Sequence, residues 1–175
     1  GCKGVCKDFE VEDLSRATDP TLCKGDRCFD AILLRSLKEK IASTSGDLLI
    51  VLHTLGNHGP AYYQRYPDEF RQFTPTCDTT DLASCSREAL INTYDNAILY
   101  TDHVLATLIE ELKTVTTHDT GMLYVSDHGE SLGENNLYLH GIPYVIAPSE
   151  QTRVPMVLWL SPELLARQRR DASCI

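Results

Sequence analysis

Apolar residues recur at helical spacing in two stretches of the chain. The first covers residues 29–41, where lysine and glutamate side chains occupy the polar side. The second is longer and runs from Leu90 to Leu112. Because positions three and four apart share one face of an α-helix, both stretches are predicted to be amphipathic helices.

Three short apolar runs predict strands. They are LLIVL at residues 48–52, MLYV at 122–125 and MVLWL at 156–160. A continuous run of this length is typical of a strand that is buried on both faces, as in a sheet covered by helices. The order helix, strand, helix, strand indicates βαβ connections. The sequence therefore predicts an α/β protein with a largely parallel sheet.

Two clusters of polar residues and glycines come directly after two of these runs. HTLGNHGP, residues 53–60, follows the first run, and SDHGESLGE, residues 126–134, follows the second. In open α/β sheets, ligands bind at the carboxyl edge of the strands. We therefore expect the two clusters to meet at one edge and to form the functional site.

The second cluster contains candidate metal ligands, Asp127 and His128. Neighbours on a regular strand point to opposite faces, but at a strand end beside Gly129 both side chains can turn toward one ion. A carboxylate oxygen and an imidazole nitrogen suit Zn²⁺. The alternative is that Asp127 caps the next turn and His128 faces solvent. Glu130 and Glu134 either orient an imidazole or are polar loop residues.

Two further histidines are candidates for the same site. His140 follows in a loop that must return over the same strand end, and His58 lies among glycines that let the backbone approach a ligand. His103 lies inside the longer predicted helix and His118 in a polar turn. We expect these last two histidines to be structural or exposed.

Charge and hydropathy exclude two classes of function. The net charge of −9 over 175 residues argues against nucleic-acid binding, which needs clustered lysine and arginine. A phosphate-containing substrate is not excluded, because a bound dication supplies positive charge locally. No apolar run approaches the roughly 20 residues of a membrane span. Without an initiator methionine or a signal peptide, the chain is expected to be a segment of a longer protein.

The cysteines indicate the compartment. They form three close pairs and one remainder, namely Cys2 and Cys6, Cys23 and Cys28, Cys77 and Cys85, and Cys174. None of the spacings is the C-x2-C repeat of a zinc ribbon. Six cysteines permit about 15 connectivities, of which nearest-neighbour pairing is the simplest. We predict three such disulfides and hence an oxidising compartment, with a partner for Cys174 beyond this chain. The alternative is reduced cysteines in a cytosolic protein.

Longer strings of the sequence resemble a known family. These strings are LHTLGNHGPAYYQRYP, FTPTC, INTYDNAILYTD and YVSDHGESLGENNLYLHGIPYVIAPSEQTRVPMVLW. Together they are similar to the periplasmic domain of the lipid A phosphoethanolamine transferases, a family that includes the mobile colistin-resistance enzymes. The match covers nearly the whole chain, and the string SDHGESLGE is highly specific.

The resemblance implies a fold and an activity. The fold would be an α/β/α sandwich like that of alkaline phosphatase and the sulfatases, held at the periplasmic face of the bacterial inner membrane by transmembrane helices. The activity would be the zinc-dependent transfer of phosphoethanolamine from phosphatidylethanolamine to lipid A, which confers resistance to polymyxins. The three cysteine pairs agree with the disulfides of the family.

The resemblance also implies roles for individual residues. Asp127 and His128 would be ligands of the catalytic zinc. His58 and His140 would be the catalytic and substrate-binding residues of the phosphate pocket, where they hold a further zinc or donate a proton to the leaving group. Membrane association would come from segments outside this chain.

Two features of the family have no counterpart in the chain. The family nucleophile is a threonine at a helix N-terminus, and a glutamate on an earlier strand binds the metal, but no residue here matches either. The resemblance therefore implies that residues 1–175 are an incomplete catalytic domain without the N-terminal strand, the nucleophile segment and the transmembrane helices. The alternatives are a sulfatase or phosphoglycerol transferase of the same superfamily and, for this chain alone, a non-catalytic metal-binding fragment.

Overall fold

A computed structural model describes residues 10–168. In that part of the chain the helices and strands are, in order, β1 (Cys23–Lys24), β2 (Arg27–Cys28), α1 (Leu37–Ser43), α2 (Arg87–Lys113), β3 (Gly121–Val125), β4 (Ser131–Leu132), β5 (Tyr138–Leu139), α3 (Ser149–Thr152), β6 (Met156–Leu160) and α4 (Pro162–Arg167). Short 3₁₀ turns occupy Asp30–Leu34, Tyr62–Gln64, Asp68–Phe70, Leu82–Ser84 and Glu134–Asn136. Across residues 10–168, no helix combines the length and the apolar character needed to cross a bilayer.

Helix α2 confirms the longer predicted helix and organises the core. Ser86 caps its N-terminus, where the hydroxyl oxygen accepts a hydrogen bond from the Ala89 N–H at 3.2 Å. The buried face of α2 includes Tyr100 and Leu108, which pack in one cluster with Met122 of β3 and with α1. The helix therefore connects the sheet to the first half of the chain.

The shorter predicted helix is interrupted. Residues 30–34 form a 3₁₀ turn, and α1 begins only at Leu37, after a break at residues 35–36. Leu34, Leu37 and Ile41 are nevertheless all buried in the core, as their spacing predicts. The break changes the backbone but keeps the apolar residues on one side.

Strand pairing differs from the sequence prediction. β3 pairs with β6 in an antiparallel ladder, and the pairs β1–β2 and β4–β5 are antiparallel as well. The parallel arrangement that we expected is therefore not the one found within residues 10–168. A parallel pair needs a long crossover connection, usually a helix. Between β3 and β6, residues 126–155 are long enough for a crossover but contain the β4–β5 hairpin and the one-turn helix α3 in place of a crossover helix, and β6 pairs antiparallel with β3.

The first apolar run, residues 48–52, also departs from its prediction. It pairs with no strand in the described part of the chain. Ile50 and Leu52 pack against the core, whereas Leu49 and Val51 are each 79% exposed. This alternation of packed and exposed side chains is typical of an extended segment with one covered face, so the run is not buried on both sides.

Two of the three predicted disulfides are confirmed, Cys23–Cys28 and Cys77–Cys85. Cys2, Cys6 and Cys174 lie outside the described residues. The Cys23–Cys28 bridge closes the β1–β2 ribbon, and Cys77–Cys85 lies in the long connection before α2, with Cys77 buried. The disulfide therefore cross-links the long connection next to α2.

Removing the Cys77–Cys85 bridge should lower the free energy of unfolding by about 2.5 kcal/mol in the Cys77→Ser/Cys85→Ser variant. The bridge spans a sequence separation of 8, so its loss restores conformational entropy to the unfolded chain. Urea denaturation under non-reducing conditions measures the change. The matched variant Cys23→Ser/Cys28→Ser, with a separation of 5, should lose about 2 kcal/mol. Unchanged unfolding midpoints would contradict this estimate.

Candidate metal centre

Three histidines from separate parts of the chain meet at one place. One ligand nitrogen from each of His58, His128 and His140 lies within 4.8 Å of the others. The rings of His128 and His140 stack with their centroids 3.8 Å apart, and the ring of His58 lies 5.0 Å from His140 and 6.0 Å from His128. The structure thus brings together the three histidines that follow the first two apolar runs.

The loop that carries His58 is held by side chains on both sides. The carboxylate of Asp30 accepts hydrogen bonds from the backbone N–H groups of residues 55 and 56, at 2.9 and 2.7 Å. The side-chain oxygen of Asn57 accepts a bond from the Thr101 hydroxyl of α2 at 2.9 Å. Because both contacts are close to His58, they fix the position from which its ring reaches the cluster.

The loop that carries His128 is held by a close backbone contact. A Cβ atom at Gly129 would overlap the carbonyl group of Glu150, so only glycine fits here. The Gly129 N–H donates to the Gln151 carbonyl at 3.0 Å, and the buried amide of Gln151 donates to the Ser131 hydroxyl at 2.9 Å. Gly129 is therefore needed for the close contact with α3.

Glu130 connects the two loops and is almost completely buried. Its carboxylate accepts a hydrogen bond from the Tyr62 hydroxyl at 2.7 Å and lies 2.9 Å from Nδ1 of His140. The Gly59 N–H donates to the same carboxylate at 3.4 Å. Burial, together with the bond to Glu130, raises the pKa of Tyr62 far above its usual range, so this hydroxyl remains a donor.

The two loop carboxylates have different roles: Glu130 orients an imidazole, whereas Glu134 does not. Glu130 orients the imidazole of His140 through the bond to Nδ1. Glu134 accepts a hydrogen bond from the Leu132 N–H at 2.7 Å and pairs with Arg87 at 3.6 Å. Glu134 is therefore a polar loop residue.

All three histidines of the cluster have an oxygen atom within hydrogen-bond distance of Nδ1. Nδ1 of His58 lies 2.7 Å from the Gly59 carbonyl oxygen, Nδ1 of His128 lies 3.0 Å from the Gly129 carbonyl oxygen, and Nδ1 of His140 faces the Glu130 carboxylate. A carbonyl or carboxylate oxygen only accepts, so each Nδ1 is the donor, and Nε2 is the nitrogen that a neutral ring would offer to a metal. Histidines that bind metals are commonly held in this way.

Asp127 lies beside the cluster, not inside it. Its side chain is 90% exposed, and its Oδ1 lies 3.9 Å from Nε2 of His128. Within residues 10–168 it does not belong to the group of side chains whose ligand atoms all approach one another. Its role as a zinc ligand stays a prediction. His103, which packs against Phe70, and His118, which contacts the Gly46 carbonyl oxygen at 3.1 Å, lie in other environments.

Sequence reasoning missed three residues that support the site, Tyr62, Asp30 and Gln151. A buried tyrosine hydroxyl normally finds a hydrogen-bond partner, so a tyrosine in the loop after His58 was a usable signal. No local pattern distinguishes Asp30 or Gln151 from ordinary polar residues, because each forms its hydrogen bonds with a segment that is distant in the sequence.

Comparison with known proteins gives a consistent result. A family model described as Sulfatase matches residues 1–174. The phosphoethanolamine transferase EptA of Escherichia coli K12 is 47% identical over 176 residues, which cover 100% of this chain and 32% of that protein. The phosphatidylethanolamine transferase Mcr-2 of Escherichia coli is 49% identical over 152 residues, which cover 84% of this chain and 28% of that protein. The chain spans about a third of the length of these curated relatives.

Solved structures match as well. The soluble domain of lipooligosaccharide phosphoethanolamine transferase A from Neisseria meningitidis aligns with a TM-score of 0.93 at 45% identity, over 99% of this chain and 52% of that one. The C-terminal periplasmic domain of EptC from Escherichia coli, in complex with Zn, aligns with a TM-score of 0.69 at 25% identity, over 94% of this chain and 50% of that one.

Proposed function

The chain belongs to the sulfatase family, and from that premise we propose that its histidine cluster is the zinc site of a phosphoethanolamine transferase acting on lipid A. The alkaline phosphatase/sulfatase-like fold class and the family resemblance read from the sequence are both confirmed by the matches to relatives and solved structures. The assignment of the zinc site and of the substrates is our proposal, and the chemistry of the histidine cluster supports it.

The single observation that carries the proposal is the convergence of His58, His128 and His140, whose ligand nitrogens lie within 4.8 Å of one another. Each ring is held at Nδ1 by a hydrogen-bond partner, and three imidazole nitrogens form a donor set that suits Zn²⁺. A second observation agrees with it. The carboxylate of Glu130 is buried, and its only ion-pair partner within residues 10–168 is the imidazole of His140. A nearby dication would offset this buried negative charge.

The residues of the cluster would hold the metal and orient the phosphate. His128 would bind zinc through Nε2, and Asp127 would share that ion, since its Oδ1 lies 3.9 Å from the same nitrogen. His58 and His140 lie on the phosphate side, where their Nε2 atoms complete the ligand set or hold a further zinc. When bound, zinc supplies Lewis-acid stabilisation to a phosphoryl oxygen and activates the nucleophile.

His140 is the better of the two phosphate-side histidines for proton donation to the leaving group. The carboxylate of Glu130 holds Nδ1 of His140 and fixes the direction of its Nε2, whereas Nδ1 of His58 faces only a backbone carbonyl oxygen. In this role Nε2 of His140 would carry a proton in place of a metal ion, as the alternative to its role as a ligand.

The substrates and the location follow from the relatives. We take phosphatidylethanolamine as donor and lipid A as acceptor because Mcr-2 is named a phosphatidylethanolamine transferase and the Neisseria enzyme acts on lipooligosaccharide. Polymyxin resistance would follow from this modification. The structure of the EptC domain is that of a periplasmic domain, and two disulfides suit the oxidising periplasm, at the outer side of the inner membrane.

Alanine at His58, His128 or His140 should lower the affinity for zinc by at least about tenfold in each variant, because each removes one nitrogen of a small ligand set. Competition with a chromophoric chelator measures the affinity. The matched controls His103→Ala and His118→Ala remove imidazoles that lie in other environments, and their affinity should be unchanged. Equal zinc affinity in all five variants would refute the metal site.

Transfer itself is tested in the full-length protein with vesicles that contain phosphatidylethanolamine and lipid A. Mass spectrometry should detect phosphoethanolamine on lipid A, and removal of zinc with a chelator should abolish this product. Release of sulfate from sulfate esters, or transfer of phosphoglycerol in place of phosphoethanolamine, would favour one of the other enzymes of the superfamily.

A further inference from the structure

Three consecutive large apolar side chains protrude only a few residues after His140. Tyr144, Val145 and Ile146 are 83%, 93% and 73% exposed. They lie in a turn that is closed by a hydrogen bond from the Ile146 N–H to the Pro143 carbonyl at 2.9 Å. Turns of this kind usually carry Gly, Asn, Asp or Ser. We call residues 144–146 the apolar turn, and its exposure marks a contact surface.

The base of the apolar turn is bonded to the loop that carries His128. The Ile142 N–H donates to the side-chain oxygen of Gln151 at 3.4 Å, and the amide group of Gln151 donates to the Ser131 hydroxyl at 2.9 Å. The Gln151 carbonyl accepts the Gly129 N–H at 3.0 Å. Because Gln151 is buried, these bonds hold the turn at a set position relative to the histidine cluster.

The form and composition of the apolar turn indicate a lipid surface as its partner. No charged residue occurs from Gly141 to Ser149, and a tyrosine at the tip is typical of the membrane–water interface. A protruding tip needs a matching groove on a folded partner, whereas the interfacial region of a bilayer adapts to it. The net charge of −9 disfavours anionic lipid, but an uncharged tip can enter a zwitterionic surface without charge repulsion.

We infer that the apolar turn inserts into the interfacial region of a zwitterionic phospholipid bilayer and sets the histidine cluster at the level of the headgroup phosphates. This inference rests on the proposed function and adds to it a membrane contact made by this chain itself. A transferase that takes a headgroup from a lipid must bring its metal site to the depth of the phosphate. A tip that begins four residues after His140 and is bonded at its base to the loop of His128 would do so.

The first test is a fluorescence measurement with vesicles of phosphatidylcholine and phosphatidylethanolamine. In the Tyr144→Trp/Trp159→Phe variant the single tryptophan reports on the apolar turn. Its emission should shift to the blue when vesicles are added, and lipids brominated on the acyl chains should quench it. An emission maximum that vesicles do not change would overturn the inference, as would a blue-shifted maximum without vesicles, since that would place the turn against protein.

The second test is flotation with the same vesicles. Val145→Asn/Ile146→Asn and Val145→Asp/Ile146→Asp should each reduce the bound fraction at least tenfold, the second more strongly. The matched control Val11→Asp, at a valine that is 54% exposed in an irregular segment, should bind as the wild type does. Equal binding by all four proteins would overturn the inference.

Zinc affinity, measured on the same variants, separates this inference from the proposed function. Substitutions in the apolar turn should leave zinc affinity unchanged, because within residues 10–168 no side chain of the turn forms a hydrogen bond with a histidine of the cluster. Normal zinc affinity with unaltered vesicle binding would remove only the membrane contact. Failure of the full-length wild-type protein to bind zinc would instead remove the proposed function.

Discussion

Replacing Glu130 with alanine should lower the affinity for zinc by about 100-fold and the free energy of unfolding by about 3 kcal/mol. The buried carboxylate is the only hydrogen-bond partner of the Tyr62 hydroxyl within residues 10–168, and it holds Nδ1 of His140. Its removal leaves a buried hydroxyl without an acceptor and a histidine without the group that sets its tautomer. Competition titration and urea denaturation measure the two effects.

Glu130→Gln separates the positioning role of this residue from its structural role. The amide keeps the volume and one acceptor oxygen, so stability should fall by only about 1 kcal/mol. One oxygen cannot serve Tyr62 and His140 as two carboxylate oxygens do, and the amide is uncharged. Zinc affinity should therefore still fall about tenfold. Glu134→Gln is the control with no expected change, and unaltered zinc affinity in both Glu130 variants would contradict the assignment.

The sequence predicts helix α2 well because its signal is local. The spacing of apolar residues shows where the helix lies and which side faces the core. It does not show that Asn96 is completely buried on that side. The side chain of Asn96 accepts the N–H groups of Gln72 and Phe73 and donates to the Phe73 carbonyl. The backbone groups that satisfy the buried Asn96 side chain belong to the long connection before α2, and the spacing of apolar residues in a helix gives no information about that connection.

The sheet is less predictable because pairing depends on partners and not on the strand itself. The runs at 121–125 and 156–160 have the composition of strands and form β3 and β6, but neither is buried on both faces as predicted, since Leu123 and Met156 are 63% and 70% exposed. Their pairing is antiparallel, and the connection between them, residues 126–155, contains no helix longer than the one-turn α3. Residues 48–52 have an equally apolar composition, yet they form no ladder with the described strands, since a strand exists only where another backbone bonds to it.

The candidate site is likewise predictable from the sequence only in part. Its histidines could be found because each follows an apolar run in a loop with glycine. The groups that orient them could not, because they come from far along the chain. Tyr62 and Glu130 are 68 positions apart, and Asp30 bonds to a loop 25 positions later. Such contacts arise only when the fold brings the segments together.

The 175-residue chain, on its own, should hold zinc weakly and transfer no phosphoethanolamine. The resemblance to the lipid A phosphoethanolamine transferases implies a threonine nucleophile and a glutamate ligand, and we match no residue of the sequence to either role. Within residues 10–168, no serine or threonine hydroxyl forms a hydrogen bond with an imidazole of the cluster, and the Ser126 hydroxyl donates instead to the His128 carbonyl at 2.7 Å. A covalent mechanism without its nucleophile loses on the order of 10⁴-fold or more in rate.

A turnover assay tests this, with a fluorescent phosphatidylethanolamine donor and added zinc, beside the complete soluble domain of the Neisseria meningitidis enzyme. The chain should give no product above the zinc-only background, and Ser126→Ala should not change that result. Turnover by the chain comparable to that of the complete domain would mean that the nucleophile lies within these residues. Loss of that turnover in Ser126→Ala would then identify it, since Ser126 is the hydroxyl residue that directly precedes Asp127 and His128.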